Sequence, residues 1–132
     1  MNLLPVVIDL EYQEGKGRAD EIWEERQNLI TELINQFKQA NIETIVYTNY
    51  NRAKKYLSEL DSMFWIAYYK NDGMIPERWI WDTEEDKTIK EEFKNKVIGW
   101  QFSEAGAPKN GINEALDFSL VKNKVFKRLI NN

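Results

Sequence analysis

Apolar and polar positions along the chain fall into blocks whose period changes. Val6-Val7-Ile8-Asp9-Leu10-Glu11 is a short, β-branched apolar run behind Pro5, interrupted by carboxylates at Asp9 and Glu11. Its length and composition predict a buried strand. Gln13 to Arg18 is polar, carries Gly15 and Gly17, and reads as a loop. From Asp20 to Ala40 the period becomes helical. Ile22, Arg26, Leu29, Ile30, Leu33, Ile34, Phe37 and Ala40 keep the spacing of one face, with Asp20 as N-cap and Asn41 as C-terminal stop. Ile42 to Asn49 is a second predicted strand. Asn51 to Leu60 is a shorter helix with Ala53, Tyr56, Leu57 and Leu60 inward.

Met63 to Tyr69 predicts a third strand. Trp79 and Trp81 stand in a loop or short strand, and Asp82 to Lys96 is a charged helix marked only by Ile89 and Phe93. Val97 to Ser103 is a fourth strand. Glu104 to Asn113 is a loop, Ala115 to Leu120 a short strand, and Lys122 to Ile130 a basic terminal helix. Alternation of strand and helix in the first half predicts a parallel sheet with helices outside it. In such sheets chemistry sits at the carboxyl ends of the strands. No linker or internal repeat divides the 132 residues, so the whole chain, 1–132, reads as a single unit.

Composition narrows the chemistry. The chain has no Cys and no His, which removes disulfides, thiol catalysis, Ser-His-Asp triads and the usual zinc ligands. Proton chemistry would have to rest on carboxylates, Tyr or Lys. The net charge of −4 lacks the basic excess of a general nucleic-acid binder, so no nucleic-acid partner is expected. No apolar run reaches the ~18 residues of a membrane span, so no membrane partner is expected. The start has no signal-peptide pattern. Gly15-Lys16-Gly17 lacks the rest of a phosphate loop, which weakens a nucleotide-binding reading. Aromatics reach 13%, enough for flat binding surfaces as well as a core.

Asp9 and Glu11 are the first candidates. Residues two apart in a strand point to one face, about 6–7 Å apart. Paired carboxylates on an apolar strand are costly unless partnered or used, and such pairs are the working parts of glycoside hydrolysis. The alternative is a strand end whose acids meet water or a salt bridge. Asp117, between Leu116 and Phe118, is a third candidate; alone it reads as an outward position on an edge strand. Tyr47, Trp65, Tyr69, Trp81 and Trp100 are candidate stacking rings, although a ring in an apolar strand ordinarily serves the core. The three acids form no calcium-loop pattern, so neither metal nor cofactor is expected.

These residues resemble a known family. Pro5-Val6-Val7-Ile8-Asp9-Leu10-Glu11 is similar to the Asp-x-Glu strand of the glycoside hydrolase family 25 lysozymes, the Chalaropsis-type muramidases. Val46-Tyr47-Thr48-Asn49 resembles that family's next strand, and Trp65-Ile66-Ala67-Tyr68-Tyr69 its Trp-Ile-Ala-x-Tyr strand. Trp100-Gln101-Phe102-Ser103, then Gly106, Pro108, Gly111-Ile112 and Asp117, resemble its closing segment in order.

The resemblance implies an α/β fold, a TIM-like barrel with fewer helices than a full (β/α)8 barrel. It also implies hydrolysis of the β-1,4 bond between N-acetylmuramic acid and N-acetylglucosamine in peptidoglycan. Carried over, Glu11 is the general acid, with Asp9 and Asp117 stabilising or trapping the cationic sugar centre. Tyr47, Trp65, Tyr69, Trp81, Trp100 and Gln101 bind substrate. The chain resembles the later two-thirds of the family's domain, and its closing Asp-x-Asn reads Asp117-Phe118-Ser119. Without the opening strands the barrel is incomplete. The expectation is therefore a homodimer, or a missing N-terminal segment that completes it. The implied partner is peptidoglycan glycan, reached by secretion or by late release of a phage product. The second functional reading is a catalytically impaired relative that binds wall glycan or a partner without cleaving it.

Overall fold

The computed structural model describes residues 4–10, 19–69, 91–103 and 118–122. In order the elements are β1 (Val6–Asp9), α1 (Ala19–Gln39), β2 (Thr44–Asn49), α2 (Tyr50–Arg52) running on into a π-helical turn (Ala53–Leu57), β3 (Met63–Ala67), α3 (Glu91–Lys96), β4 (Val97–Ser103) and β5 (Phe118–Val121). The five strands form one sheet in the order β1-β2-β3-β4-β5. The first four are parallel, and β5 returns antiparallel to β4. The mixed α/β architecture with a parallel sheet is the one the alternation predicts. The loop 13–18, the segment around Trp79 and Trp81, residues 82–90 of the charged helix, the loop 104–113, residues 115–117 and residues 123–130 of the basic terminal helix lie outside the described residues.

Sequential parallel order means that each connection crosses over in the same sense, so the helices collect on one face. Ile30 and Ile34 of α1, Ala53 and Leu57 of the π-turn and Phe93 of α3 share one cluster with Val46, Phe64, Ile66, Val97, Trp100 and Phe102 of the sheet. Phe64 and Phe93 meet edge to face, ring centroids 5.0 Å apart. Ala53, Leu57 and Leu60 are buried as the helical spacing predicts, and Tyr56 packs partly buried against the same cluster. A smaller cluster of Ile45 and Ile98, with Met63 and Trp65 against it, lies apart from the first.

The sequence and the structure part company at several ends. The inward face of α1 is narrower than the apolar pattern: Leu29 is 61% exposed and Leu33 38%, while Ile30 and Ile34 are buried. A helix turns about 100° per residue, which carries Leu29 and Leu33 past the stripe in contact with the sheet. Asp20 falls inside the first turn, since α1 includes Ala19. Asn41 does stop the helix. It takes φ 59°, Ile42 N–H donates to Phe37 carbonyl at 2.9 Å, and Asn41 N–H to Lys38 carbonyl at 3.0 Å. These are the two bonds of a Schellman cap, and they occupy Ile42, so β2 begins only at Thr44.

A further departure is in β4. Phe64 pairs with Val97 but Trp65 pairs with Gly99, which leaves Ile98 as an extra residue. This bulge resets the alternation downstream of it. Gly99 and Gln101 therefore align with Trp65 and Ala67, while Trp100 aligns with Ile66 on the helix-covered side.

Candidate active site

Lateral register defines the sheet face away from the helices. Asp9 pairs with Tyr47, Tyr47 with Trp65, Trp65 with Gly99 and Gly99 with Val121. Paired residues in adjacent strands share a face, so these form one row across the sheet. One step toward the carboxyl ends a second row runs Asn49, Ala67, Gln101, Ser119. Asp9 is exposed and its neighbour Ile8 packs toward the main core, consistent with a strand whose alternate side chains face opposite ways.

Hydrogen bonds tie this face together. Tyr47 hydroxyl donates to Oε1 of Gln101, a side chain that is itself buried. Trp65 Nε1 donates to Ser119 Oγ at 3.1 Å. Tyr47 and Trp65 meet edge to face with centroids 5.5 Å apart. Gly99 makes this packing possible. A Cβ there would stand 3.0 Å from Trp65 Cδ1 and 3.1 Å from Cγ, so the indole lies directly against the glycine backbone.

At the carboxyl ends of β1, β2 and β3 a cleft of about 390 Å³ opens, lined among others by Leu10, Tyr47, Asn49, Tyr50, Arg52 and Tyr69. Each wall has a local cause. Asn49 ends β2 and caps the helical turn that follows, accepting from Arg52 N–H at 2.8 Å. Tyr50 stacks on Tyr68 with centroids 4.4 Å apart, and Trp100 Nε1 donates to Tyr68 carbonyl at 2.8 Å. Strand β3 ends at Ala67, earlier than the apolar run predicts; Tyr68 N–H still donates to Gln101 carbonyl at 3.0 Å, and Tyr68 and Tyr69 stand at the rim. Arg52 Nη1 donates to Leu10 carbonyl at 3.2 Å and Thr48 Oγ1 to the same oxygen at 2.9 Å.

A larger recess of about 460 Å³ lies at the opposite, amino ends, between Ile34 and Lys38 of α1 and Thr44, Ser62 and Met63. Its polar groups serve the fold. Lys38 pairs with Asp61, Thr44 and Ser62 hydroxyls meet at 2.7 Å, and Lys96 donates to Ser58 and Leu60 carbonyls at 2.9 Å each. The chemistry expected of a parallel sheet belongs at the other end.

Of the candidate residues, the structure brings Asp9, Tyr47, Trp65 and Gln101 to one face and puts Tyr47 and Tyr69 in the cleft wall. Trp100 is not with them. It is buried among Ile66 and Phe102 on the helix side, turned there by the bulge at Ile98, and it supports the Tyr68 rim from behind. Glu11, Trp81 and Asp117 lie outside the described residues. The sequence reading missed Thr48, Tyr50, Arg52 and Tyr68. The signal for them was positional: Thr48-Asn49-Tyr50 is a strand end running into a capped helix, the place where a parallel sheet presents its working side chains.

Among the described residues no three carboxylates gather where they could hold a metal ion, and no helix is long and apolar enough to cross a membrane. Compared with protein-family models, curated proteins and solved structures, the chain matches none.

Proposed function

We propose that the chain is a carboxylate glycoside hydrolase acting on peptidoglycan, a muramidase that cleaves the β-1,4 bond after N-acetylmuramic acid. The observation that carries this reading is the cross-strand row. Asp9 stands beside Tyr47 and Trp65 on the sheet face opposite the helices, next to a ring-lined cleft at the carboxyl ends. Sugar rings present apolar C–H faces that pack on aromatic rings, and hydroxyls that need polar partners such as Asn49 and Gln101.

In this reading Glu11, two residues beyond Asp9, protonates the leaving oxygen, and Asp9 with Asp117 stabilises the positive charge that develops at the sugar. Tyr47, Trp65 and Tyr69 line the groove, with Trp81 as a further ring, and Trp100 acts only from behind the rim. The sequential parallel order with all its packed helices on one side fits part of a TIM-like barrel whose interior is the Asp9 face. The substrate lies outside the bacterial membrane, and so does the site of action.

Incubation of the native chain with purified bacterial walls tests the reading. Falling turbidity with new reducing ends supports it. Sedimentation with the walls and no cleavage replaces it with a glycan-binding role.

A further inference from the structure

Gln101 carries donors that the fold leaves unused. The residue is 3% exposed, on the sheet face that also holds Asp9, Tyr47 and Trp65. Its Oε1 accepts from the Tyr47 hydroxyl. A carboxamide has two N–H donors as well, on Nε2, and no described residue accepts from them. Buried polar groups nearly always find partners, so two idle donors in one amide call for an acceptor that these residues do not supply. The bond to Tyr47 also fixes which way the amide points. To reach that hydroxyl from β4 the side chain crosses β3 between Trp65 and Ala67, and both Tyr47 and Ala67 line the carboxyl-end cleft. With its oxygen committed, the amide stands at the cleft floor as a donor only.

A sugar hydroxyl can donate or accept. The carbonyl of an acetamido group only accepts, and the methyl beside it favours an apolar contact. The floor offers both: two N–H groups of Gln101 and, next to them, the Ala67 methyl and the edge-to-face pair of Tyr47 and Trp65. An amino sugar without its acetyl group presents an ammonium instead, a donor facing donors. We propose that Gln101, held as a donor by Tyr47, recognises the acetamido carbonyl and makes the chain selective for N-acetylated amino-sugar glycan over the de-N-acetylated form. The substrate class rests on the hydrolase reading; the donor site rests on the unpaired amide itself. Attraction of an ammonium to Asp9 and to the net charge of −4 works in the opposite direction, so rejection of the de-N-acetylated glycan is a signature of the amide.

The test uses purified walls, the same walls chemically de-N-acetylated, and a portion of these re-acetylated with acetic anhydride. Release of reducing ends and sedimentation of the chain with the walls are followed together. The native chain should show kcat/KM at least about 10-fold higher on the N-acetylated walls, with recovery on re-acetylation. Gln101→Met deletes the donors at similar volume and should abolish the preference. Tyr47→Phe frees the amide to turn its oxygen toward the sugar and should narrow the preference to about threefold or less. Equal handling of the two walls by the native chain, or a preference undiminished in either folded variant, overturns the acetamido site. Walls that stay uncleaved but sediment the chain only when acetylated remove the hydrolase reading and leave the acetamido site. Neither cleavage nor sedimentation with any of the walls overturns both.

Discussion

Tyr47 of β2 donates its phenolic proton to Gln101 of β4, reaching across β3 on the face that also carries Asp9. The register places Trp65 and Ala67 between them, and the short side chain of Ala67 leaves room for the bond. It joins a ring of the proposed groove to a buried amide whose carbonyl oxygen would otherwise need another donor. Tyr47→Phe leaves that oxygen short of this donor, and the loss should cost about 1–3 kcal/mol of stability. Urea unfolding checks it; a change below a few tenths of a kcal/mol means that the bond is not formed in solution.

Gly99 offers a separate test of the same face. With Trp65 Cδ1 only 3.0 Å from the position of an added Cβ, Gly99→Ala must push the indole by about a few tenths of an ångström, against its bond to Ser119. Overpacking of this kind costs about 1–3 kcal/mol. The near-ultraviolet circular dichroism of the tryptophans should change along with the melting temperature. Native-like spectra and an unchanged melting temperature would mean that the ring does not lie against residue 99.

Much of the fold was legible because its signals are local. The β-branched runs, the Ile30 and Ile34 stripe and the Asn41 stop each announce themselves within a few residues. The bulge at Ile98 does not. It arises from how β4 meets β3, and one extra residue exchanges the faces of everything after it. That is why Trp100, read as a groove ring, belongs to the core. Leu29 and Leu33 went the same way: periodicity shows a face, but how wide a stripe is covered depends on the surface it meets. Asp9 could be picked out as half of an acid pair, but its row with Tyr47 and Trp65 depends on pairing between segments some 38 and 56 residues away, which spacing along one chain does not contain.

The Asn41 cap predicts a pair of opposite outcomes. At φ 59° a residue with a plain Cβ is strained, glycine is not, and asparagine lies between. Asn41→Ala should lose about 1 kcal/mol, and Asn41→Gly should hold or gain slightly. Chemical denaturation of the two variants beside the native chain decides it. Equal stability of all three would show that the helix does not end in the left-handed turn.

The proposed mechanism fixes the shape of the pH profile. In the proposed mechanism both proton roles belong to carboxylates. The acid must be protonated, so rate is lost as pH rises through its pKa. Its partner must be ionised, so rate is lost as pH falls through the partner's. Hydrolysis should therefore peak on the acid side of neutrality. A rate still climbing above about pH 9 would exclude this pair as the machinery.

The carboxylate mechanism stands or falls on the release of new reducing ends from purified peptidoglycan by the native chain, Glu11→Gln and Asp9→Asn, each confirmed folded by circular dichroism. Steady release by the native chain is expected, with losses of at least about 100-fold in Glu11→Gln and about 10-fold in Asp9→Asn and wall binding retained in both. Release by Glu11→Gln at the native rate, or none by a native chain that is folded and bound to walls, would contradict it.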